Sequence, residues 1–441
     1  MKITVIGTGY VGLITGVGLA MLGHSVTCFD INKEKIEQIQ EGILPIYEPD
    51  LDELVRTACD EGYLMFTANK IEAFAHVDYV FIAVGTPSLA DGTADLAHIR
   101  DVCYDIGVYA KNNIIVVTKS TVPVGTNDLM REWIQERLQG RHELHIVSNP
   151  EFLREGSGVY DFFHGDRIVI GAQSREIAEQ VKNLYSQLFI RTYITDVRSA
   201  EMIKYASNAF LATKISFINE ISNICERVGA DILEVAAGMG LDRRIGSAFL
   251  QAGVGYGGSC FPKDTNALVQ IAGNVSHDFR LLKAVIEVNN KQQLLLVEKA
   301  KKVLDMSGKR VAVLGVAFKP NTDDIREAPS LIIINELVKM GANVIVYDPE
   351  AIPHVKDLFG ERLQYTDHID EAITEASAVF IVTEWESIRT YPLEQYVKLM
   401  REPILFDGRN CYTNEDIESQ RLDYYSVGRK SICNSKVSTI Y

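Results

Sequence analysis

The chain contains 441 residues, of which 59 are Asp or Glu and 44 are Lys or Arg, so its formal net charge is −15. A chain of this length is expected to form two or three domains. Its acidic balance argues against nucleic-acid and anionic-membrane partners, which need a basic surface. The seven cysteines show neither a CxxC pair nor metal-ligand spacing, so we predict no disulfide framework and no metal site. Such cysteine usage is typical of the reducing cytoplasm.

The first element is an apolar strand at residues 2–6, which leads into Gly7-x-Gly9-x-x-Gly12, a helix rich in small residues and a second strand that ends at Asp30. A strand, this glycine pattern, a helix and a following acid together indicate a dinucleotide-binding unit. Gly7 makes the turn, Gly9 admits the pyrophosphate, and Gly12 lets helix and strand pack closely. Asp30 would accept hydrogen bonds from the ribose hydroxyls and repel a 2′-phosphate. The predicted cofactor is therefore NAD rather than NADP.

The uncharged stretch from Ile3 to Gly23 has a second interpretation as a signal peptide or membrane helix. A single lysine makes a thin positive start, no A-x-A cleavage site follows, and a strand ending in an acid does not normally follow a signal sequence. We therefore expect this stretch to belong to the dinucleotide-binding domain.

The rest of the chain predicts an α/β fold with two doubly wound Rossmann-type domains joined by a helical central domain with a long helix. Residues 1–196 and 302–428 alternate strands with helices, whereas residues 197–301 follow a helical period. Residues 429–441 lack periodicity, and we expect a loose tail there. After its first strand the later α/β domain has no second GxGxxG. It carries Phe318 and Lys319 instead, and is expected to bind a different phosphorylated ligand through Lys319 and Arg326.

One cysteine, Cys260, lies where a thiol could do chemistry. Two glycines precede it, Pro262 is typical of the first turn of a helix, and Lys263 is adjacent. A helix N-terminus and a neighbouring cation both lower a thiol pKa and raise the thiolate fraction. From this segment alone a buried structural cysteine is an equally good interpretation. The hydride acceptor predicted at the other end of the chain favours the catalytic one.

Three polar residues have the spacing to assist such a thiol. Lys204 and Asn208 are one turn apart on a predicted helix and project from the same face, where an ammonium and an amide would stabilise an oxyanion. Asp264 lies one turn beyond Cys260 and could orient or activate a water molecule. For Lys204 and Asn208 the alternative is a polar stripe on an exposed helix face.

Six runs of sequence then carry a family resemblance. They are, in chain order, GTGYVG, KSTVPVGT, NPEFLREG, Lys204-x-x-x-Asn208, FLQAGVGYGGSCFPKD and GVAFKPNTDDIREAPS. With them the chain resembles the UDP-glucose 6-dehydrogenase family over nearly its whole length. The resemblance implies that the primary alcohol of the sugar is oxidised to a carboxylate, with two NAD⁺ and one water, to give UDP-glucuronate. A double oxidation needs a nucleophile that traps the aldehyde, and this gives Cys260 a role.

The resemblance also implies site residues. The catalytic set is Cys260, Lys204, Asn208, Asp264, Thr121 and Glu151. The cofactor set is Gly7, Gly9, Tyr10, Val11, Gly12, Asp30, Lys35, Thr86, Thr121, Glu155, Lys263 and Arg326. The substrate set is Phe152, Leu153, Arg154, Glu155, Lys204, Asn208, Arg244, Phe249, Leu250, Gln251, Ala252, Gly253, Tyr256, Gly257 and Lys319. Arg244, or its neighbour Arg243, is expected to come from a second subunit, which implies a homodimer or higher homo-oligomer.

Three alternatives stay open. A sister nucleotide-sugar dehydrogenase acting on GDP-mannose or UDP-N-acetyl-mannosamine would share the chemistry and differ in its pocket. A single-step hydroxyacid or 6-phosphogluconate-type dehydrogenase would share the layout but would not need Cys260. A non-catalytic NAD-binding protein would leave the thiol unexplained.

Overall fold

The computed structural model describes residues 1–74 and 76–434, and the chain divides into two compact units. The first unit comprises Met1–Ser207 and Asn266–His277, and the second comprises Asn208–Thr265 and the chain from Asp278 onward. The boundaries of the three predicted segments stay a prediction, and in the structure the central helices divide between the two units. The first turns of the long central helix belong to the first unit, where Ala200 lies directly against Gly171 of the sheet.

The first unit is built on an eight-stranded sheet of order β3-β2-β1-β4-β5-β6-β7-β8. All neighbours are parallel except β6 and β7, and the strand order reverses at β1, as in doubly wound sheets. The strands are Lys2–Ile6 (β1), Ser25–Phe29 (β2), Leu64–Thr67 (β3), Tyr79–Ile82 (β4), Ile114–Thr118 (β5), Leu144–Ser148 (β6), Ile168–Gly171 (β7) and Thr192–Thr195 (β8). The helices are Tyr10–Met21 (α1), Lys33–Gln40 (α2), Leu51–Asp60 (α3), Lys70–Ala73 (α4), Ala97–Tyr109 (α5), Thr126–Leu138 (α6), Gly158–His164 (α7) and Arg175–Asn183 (α8).

Five helices follow the first sheet in the chain. The longest begins at Val197, directly after the strands of the first α/β segment, and the last ends at Val303. They are Val197–Val228 (α9), Ile232–Gly240 (α10), Phe261–Asn274 (α11), Arg280–Gln292 (α12) and Leu295–Val303 (α13).

A second sheet has the order β11-β10-β9-β12-β13-β14-β15. It repeats the strand order of the first sheet and reverses at β9, and only β14 and β15 are antiparallel. The strands are Arg310–Leu314 (β9), Asn343–Tyr347 (β10), Gln364–Thr366 (β11), Ala378–Ile381 (β12), Ile404–Asp407 (β13), Asp423–Tyr425 (β14) and Ile432–Cys433 (β15). Its helices are Pro329–Lys339 (α14), Ile352–Phe359 (α15), Ile369–Ile373 (α16), Glu386–Arg389 (α17), Leu393–Leu399 (α18) and Asn414–Glu418 (α19), with a 3₁₀ turn at Gly360–Arg362. The predicted fold class, two doubly wound domains and a helical region with a long helix, is confirmed.

Both sheets are covered on their faces by apolar side chains, as parallel sheets require. Strands such as Tyr79–Ile82, Ile114–Thr118 and Ala378–Ile381 are buried at every residue. Among the described residues, no helix is both long and apolar enough to cross a membrane.

The segment predicted as a loose tail begins with ordered structure. Arg429 is buried, with its guanidinium donating to the carbonyl oxygen of Tyr412 at 2.8 Å and lying 3.3 Å from Asp231. Strand β15 then pairs with β14. Sequence periodicity misses this element because a two-residue strand is too short to show any period. The remainder of the predicted tail, residues 435–441, lies outside the described residues.

Candidate active site

The glycine-rich loop between β1 and α1 has the geometry that a dinucleotide requires. Gly7 has φ +96°, and a side chain at Gly12 would lie 1.9 Å from the Gly7 carbonyl oxygen. Only glycine therefore allows the helix to approach the loop this closely. A side chain at Gly9 would meet nothing within 4 Å. The backbone at Gly9 is therefore open to a ligand, at the N-terminus of α1, where N–H groups favour a pyrophosphate. The residues present fit NAD.

Asp30 follows β2 and faces this loop. Its carboxylate accepts hydrogen bonds from the backbone N–H (3.1 Å) and hydroxyl (2.8 Å) of Thr8 and from the N–H of Asn32, and lies 3.3 Å from the Lys35 ammonium. Burial by itself would raise the pKa of Asp30, but the hydrogen bonds from Asn32 and Thr8 and the Lys35 charge lower it below its usual value. The acid is thus held ionised beside the loop, as the ribose contact needs.

The first unit also holds a buried ion pair between predicted site residues. The Lys204 ammonium lies 2.9 Å from a Glu151 carboxylate oxygen, and the other oxygen accepts the N–H of Leu153 at 2.6 Å. Lys204 and Glu151 are 4% and 5% exposed. Asn208, one turn along α9, is likewise 5% exposed. The alternative of an exposed polar stripe is therefore wrong, and a buried ion pair beside a buried amide indicates a functional site.

The predicted substrate loop 152–155 is fixed by two cationic side chains. The Arg167 guanidinium stacks 3.9 Å from the centre of the Phe152 ring, and the Lys204 ammonium lies 5.5 Å from it. Arg154 donates to both oxygens of Asp161 at 2.9 and 2.6 Å. Sequence reasoning missed Arg167, because nothing in its flanking sequence distinguishes it from a surface arginine.

Cys260 stands immediately before α11 in the second unit. Its carbonyl oxygen accepts the N–H of Asp264 at 2.9 Å, the first hydrogen bond of the helix. The predicted placement of the sulfur at a helix N-terminus is therefore confirmed, and the free N–H groups of that terminus favour a thiolate. The Ser259 hydroxyl lies 3.5 Å from the sulfur.

Asp264 is fully buried one turn beyond Cys260 and is held by two partners. The Lys263 ammonium lies 2.6 Å from one carboxylate oxygen, and the Asn208 amide donates to the other at 2.6 Å. Lys263 was predicted to act on the thiol as a neighbouring cation. The Lys263 ammonium is instead paired with the Asp264 carboxylate. The helix N-terminus is therefore the stronger reason to expect a thiolate at Cys260.

The turn before Cys260 fits closely against the loop that follows β9. Gly258 has φ +83°, and a side chain there would lie 2.7 Å from the Phe318 ring. Its N–H donates to the carbonyl oxygen of Arg326 at 2.9 Å. The Lys319 ammonium lies 5.2 Å from the centre of the Phe318 ring. Two motifs that are far apart in sequence are thus adjacent in the second unit.

Residues 249–257 are held by buried amide side chains of α9 and α12. Asn219 accepts the N–H of Gly253 at 2.9 Å, and Gln292 donates to the Gly253 carbonyl at 2.7 Å. Asn289 accepts the Tyr256 N–H at 2.8 Å and donates to its carbonyl oxygen at 3.0 Å. These three amides were not predicted as site residues. Such residues could be found as amides at buried positions of a helix. The sequence reveals those positions only once the apolar face of each helix is known.

Arg409, which follows β13, is a second residue that the sequence interpretation missed. Its guanidinium donates to the carbonyl oxygens of Val382 (2.7 Å) and Phe318 (3.2 Å), and it would touch a side chain placed at Gly253. The sequence did contain a signal for Arg409, because a strand that ends in Gly-Arg places an arginine beyond its carboxyl end. Ligands bind there in parallel sheets.

The acid beside the loop that follows β9 is buried, unlike Asp30 beside the first glycine-rich loop. Asp348, at the end of β10, accepts the N–H groups of Val316 (2.6 Å) and Ala317 (3.0 Å) and the indole N–H of Trp385 (3.1 Å). It is 1% exposed. The second α/β domain therefore has the dinucleotide-type strand order without an accessible acid.

The other predicted residues lie on several loops and helices of the two units. The Thr86 hydroxyl donates to the Thr121 carbonyl at 2.8 Å, and the Tyr10 hydroxyl to the Tyr47 carbonyl at 3.2 Å. Arg326 is held by Asp324 and Arg244 by Asp242, and both arginines are largely exposed. Val11 and Glu155 are half-buried, Leu250 and Ala252 are buried, and Gln251 is exposed.

Sequence models of three successive domains match the chain. They are the NAD binding domain (residues 1–189), the central domain (residues 198–291) and the UDP binding domain (residues 312–414) of the UDP-glucose/GDP-mannose dehydrogenase family.

Individual proteins match over nearly the full length. A UDP-glucose 6-dehydrogenase of Bacillus subtilis, YwqF, is 56% identical over 99% of both chains. The structure of a UDP-glucose dehydrogenase from Pyrobaculum islandicum has a TM-score of 0.90 at 37% identity and covers 97% of this chain and 98% of that one. The structure of a UDP-D-ManNAc dehydrogenase from Pyrococcus horikoshii has a TM-score of 0.86 at 26% identity and covers 98% and 100%.

Proposed function

Because the chain belongs to the UDP-glucose/GDP-mannose dehydrogenase family, we propose that it catalyses the NAD-dependent four-electron oxidation of UDP-glucose to UDP-glucuronate. The observation that carries this proposal is the position of Cys260 at the N-terminus of α11, one turn before the buried Asp264. A single-step alcohol oxidation needs a base and a hydride acceptor and has no use for such a thiol.

The loop between β1 and α1 would hold NAD⁺, which would supply the hydride acceptor when the sugar alcohol is oxidised to the aldehyde and its hydroxyl proton passes to solvent. In our proposal the Cys260 thiolate attacks the resulting aldehyde, forming a C–S bond while the carbonyl oxygen becomes an oxyanion and then takes a proton. The product is a thiohemiacetal, whose carbon still bears one hydrogen. Loss of that hydrogen as a hydride to a second NAD⁺, with the hydroxyl proton passing to solvent, leaves a thioester. Water then attacks the thioester, the C–S bond breaks, and the thiolate and a carboxylate remain.

The buried polar residues have distinct parts in these steps. We assign oxyanion stabilisation to Lys204 and Asn208, whose cationic and amide donors lie one turn apart on α9. Asp264 is assigned to the hydrolytic water, since a buried carboxylate beside the nucleophile is placed to take a proton. Thr121 and Glu151 are assigned to the same water network.

UDP-glucose is favoured over other nucleotide sugars by the relatives. Proteins that resemble this chain at 56% and 45% identity over its whole length are UDP-glucose 6-dehydrogenases, whereas the UDP-D-ManNAc dehydrogenase shares 26%. We assign UDP binding to the second α/β domain, with Lys319 and Arg409 as cations for the diphosphate.

The reaction is tested by its stoichiometry. Purified protein should be given NAD⁺ with UDP-glucose, GDP-mannose or UDP-N-acetyl-mannosamine in separate reactions, and NADH and sugar products should be counted. We expect two NADH and one UDP-glucuronate per UDP-glucose, with no aldehyde captured by added hydrazine. One NADH per sugar, or release of the aldehyde, would restore the single-step dehydrogenase. NAD binding without turnover of any of the three sugars would favour a binding protein.

Burial distinguishes two of the other thiols, those of Cys28 and Cys103, from the Cys260 thiol. Burial raises the pKa of Cys103 to about 12, and it raises the pKa of Cys28 further, with a smaller effect of Cys59. Such thiols stay protonated and unreactive at neutral pH. A chain that depends on one thiolate beside six other cysteines suits a reducing compartment, and we place the enzyme in the cytoplasm.

We further propose that the protein is a homodimer that buries an apolar stripe on α9. Phe210, Phe217 and Ile224 recur every seven residues, Val228 follows one turn later, and their exposed fractions lie between 49% and 70%. Burying a side chain of this size contributes roughly 1.5–3 kcal/mol, so an exposed row of four points to a partner surface. The exposed Arg244 guanidinium is then available to the partner subunit.

A charged substitution in the apolar stripe on α9 tests whether the protein is a dimer. Phe217→Glu should halve the mass measured by analytical ultracentrifugation, because an unpaired carboxylate is costly to bury. Phe189, an exposed residue of the first unit, supplies the matched control, and Phe189→Glu should leave the mass unchanged. A monomeric wild-type protein, or an unchanged Phe217→Glu assembly, would contradict the proposal.

A further inference from the structure

A second buried lysine, Lys119, lies beside the Glu151–Lys204 pair and has no part in the reaction described above. Lys119 directly follows β5 and is 7% exposed. Its ammonium lies 3.4 Å from the amide oxygen of Asn149, which directly follows β6. Both residues therefore stand at the carboxyl ends of neighbouring strands, the edge at which doubly wound sheets bind their ligands.

Asn149 is fixed so that its oxygen faces Lys119. Its side-chain amide donates to the carbonyl oxygen of Val169 at 2.8 Å, which leaves the amide oxygen to accept. That oxygen also accepts the hydroxyl of Tyr185 at 2.7 Å. Tyr185 is buried, and burial raises its pKa, so it is a neutral donor. Among the described residues of the first unit, the Lys119 ammonium thus has one neutral hydrogen-bond acceptor and no carboxylate within ion-pair distance.

Two charged groups act on the Lys119 ammonium. Burial lowers its pKa to about 8, the Glu151 carboxylate opposes this, and the Lys204 ammonium lowers it further. The three residues carry two ammonium groups and one carboxylate, all at most 7% exposed. Burying a charge is costly unless it is paired with an opposite charge. Because Lys204 is the ammonium that lies against Glu151, Lys119 is the one that loses its proton more readily.

We propose that Lys119 is a positioning residue of this site, whose buried ammonium competes with that of Lys204 for the Glu151 carboxylate and so sets how firmly Glu151 holds Lys204. The proposal rests on the oxidation proposed above. While Lys119 is charged, the pair is loosened and the local potential is more positive, which favours an oxyanion near Lys204. Once Lys119 is neutral, Glu151 and Lys204 form a closed, neutral pair.

The pH dependence follows from the direction of this competition. A group with a pKa of about 8 is mostly charged at pH 7 and mostly neutral at pH 9. Lys119→Met has the neutral charge state at every pH. We therefore expect wild-type kcat to exceed that of Lys119→Met by roughly tenfold at pH 6.5, the effect of about one pKa unit of interaction. The ratio should fall toward one as the pH rises through about 8.

The experiment measures kcat for UDP-glucose and NAD⁺ from pH 6.5 to 9.5 in wild type, Lys119→Met and Lys119→Gln. Lys111, an exposed lysine before β5, provides the control, and Lys111→Met should keep a ratio near one throughout. A loss of activity in the Lys119 variants that is the same at every pH would mean that Lys119 only supports the fold, and would overturn the proposal.

A second measurement does not depend on turnover. In protein labelled with ¹³C at lysine Cε, the Lys119 signal is assigned by its absence from Lys119→Met or Lys119→Gln, and its titration midpoint is followed. The midpoint should fall in Glu151→Gln and rise in Lys204→Met, since the two partners act in opposite directions. Midpoints that do not move overturn the competition. Midpoints that move in a protein that does not oxidise UDP-glucose would reject the proposed reaction while the competition stands.

Discussion

Replacing Cys260 with serine is expected to reduce the steady-state production of NADH to below about one thousandth of the wild-type rate, a typical loss for a covalent nucleophile. The hydroxyl of serine is not ionised at neutral pH, and the helix N-terminus that favours a thiolate cannot supply the missing acidity. Binding of NAD⁺ and of UDP-glucose, followed by calorimetry, should be retained, because the substitution changes a single atom.

Cys59 provides the control for this experiment. It is a half-exposed thiol of the first unit whose pKa is raised by burial and by Asp60, and Cys59→Ser should keep most of the activity. Iodoacetamide should label Cys260 before Cys59 and inactivate the enzyme, and bound UDP-glucose should slow both effects. Near-normal NADH production by Cys260→Ser would end the covalent mechanism.

The second large effect is expected for Asp264→Asn. The amide has nearly the same shape but takes no proton from water, so the hydrolytic step should slow by about 10²–10⁴, the usual contribution of a positioned base. The thioester would then accumulate. Intact-mass spectrometry of the protein mixed with UDP-glucose and NAD⁺ should show a covalent adduct of the sugar nucleotide.

Asp264 also holds Lys263 and Asn208, so a structural effect has to be separated from a chemical one. Lys263→Gln removes the ion pair and keeps the carboxylate, and it should raise the KM for NAD⁺ without accumulating an adduct. An adduct in Lys263→Gln, or a slow Asp264→Asn enzyme that remains free of adduct, would show that the carboxylate does not act on the water.

Local sequence patterns predicted the features that depend on consecutive residues. The GxGxxG loop, the acid at position 30 and the helix that begins after Cys260 are each set by a few neighbours, because turns and helix ends are determined locally. The equal strand order of the two sheets follows from the alternation of strands and helices, which restricts the possible topologies.

The partners within the site could not be predicted in this way. Lys204 and Glu151 are 53 residues apart, and Asn208 and Asp264 are 56 apart. Sequence gives the type of each residue but not which of many carboxylates neutralises a given cation. The amides of Asn219, Asn289 and Gln292 were missed for the same reason, since a polar residue in a helix looks exposed until the packing of that helix is known.

The Asp348 carboxylate gives the two sheets different capacities for an incoming anion. In the first sheet the backbone at Gly9 is left for a visiting phosphate, whereas in the second sheet Asp348 already supplies a negative charge to the N–H groups of Val316 and Ala317. In the second domain the Asp348 carboxylate thus accepts the N–H groups that a phosphate would otherwise bind. In our proposal, phosphate recognition there depends instead on the side chains of Lys319 and Arg409.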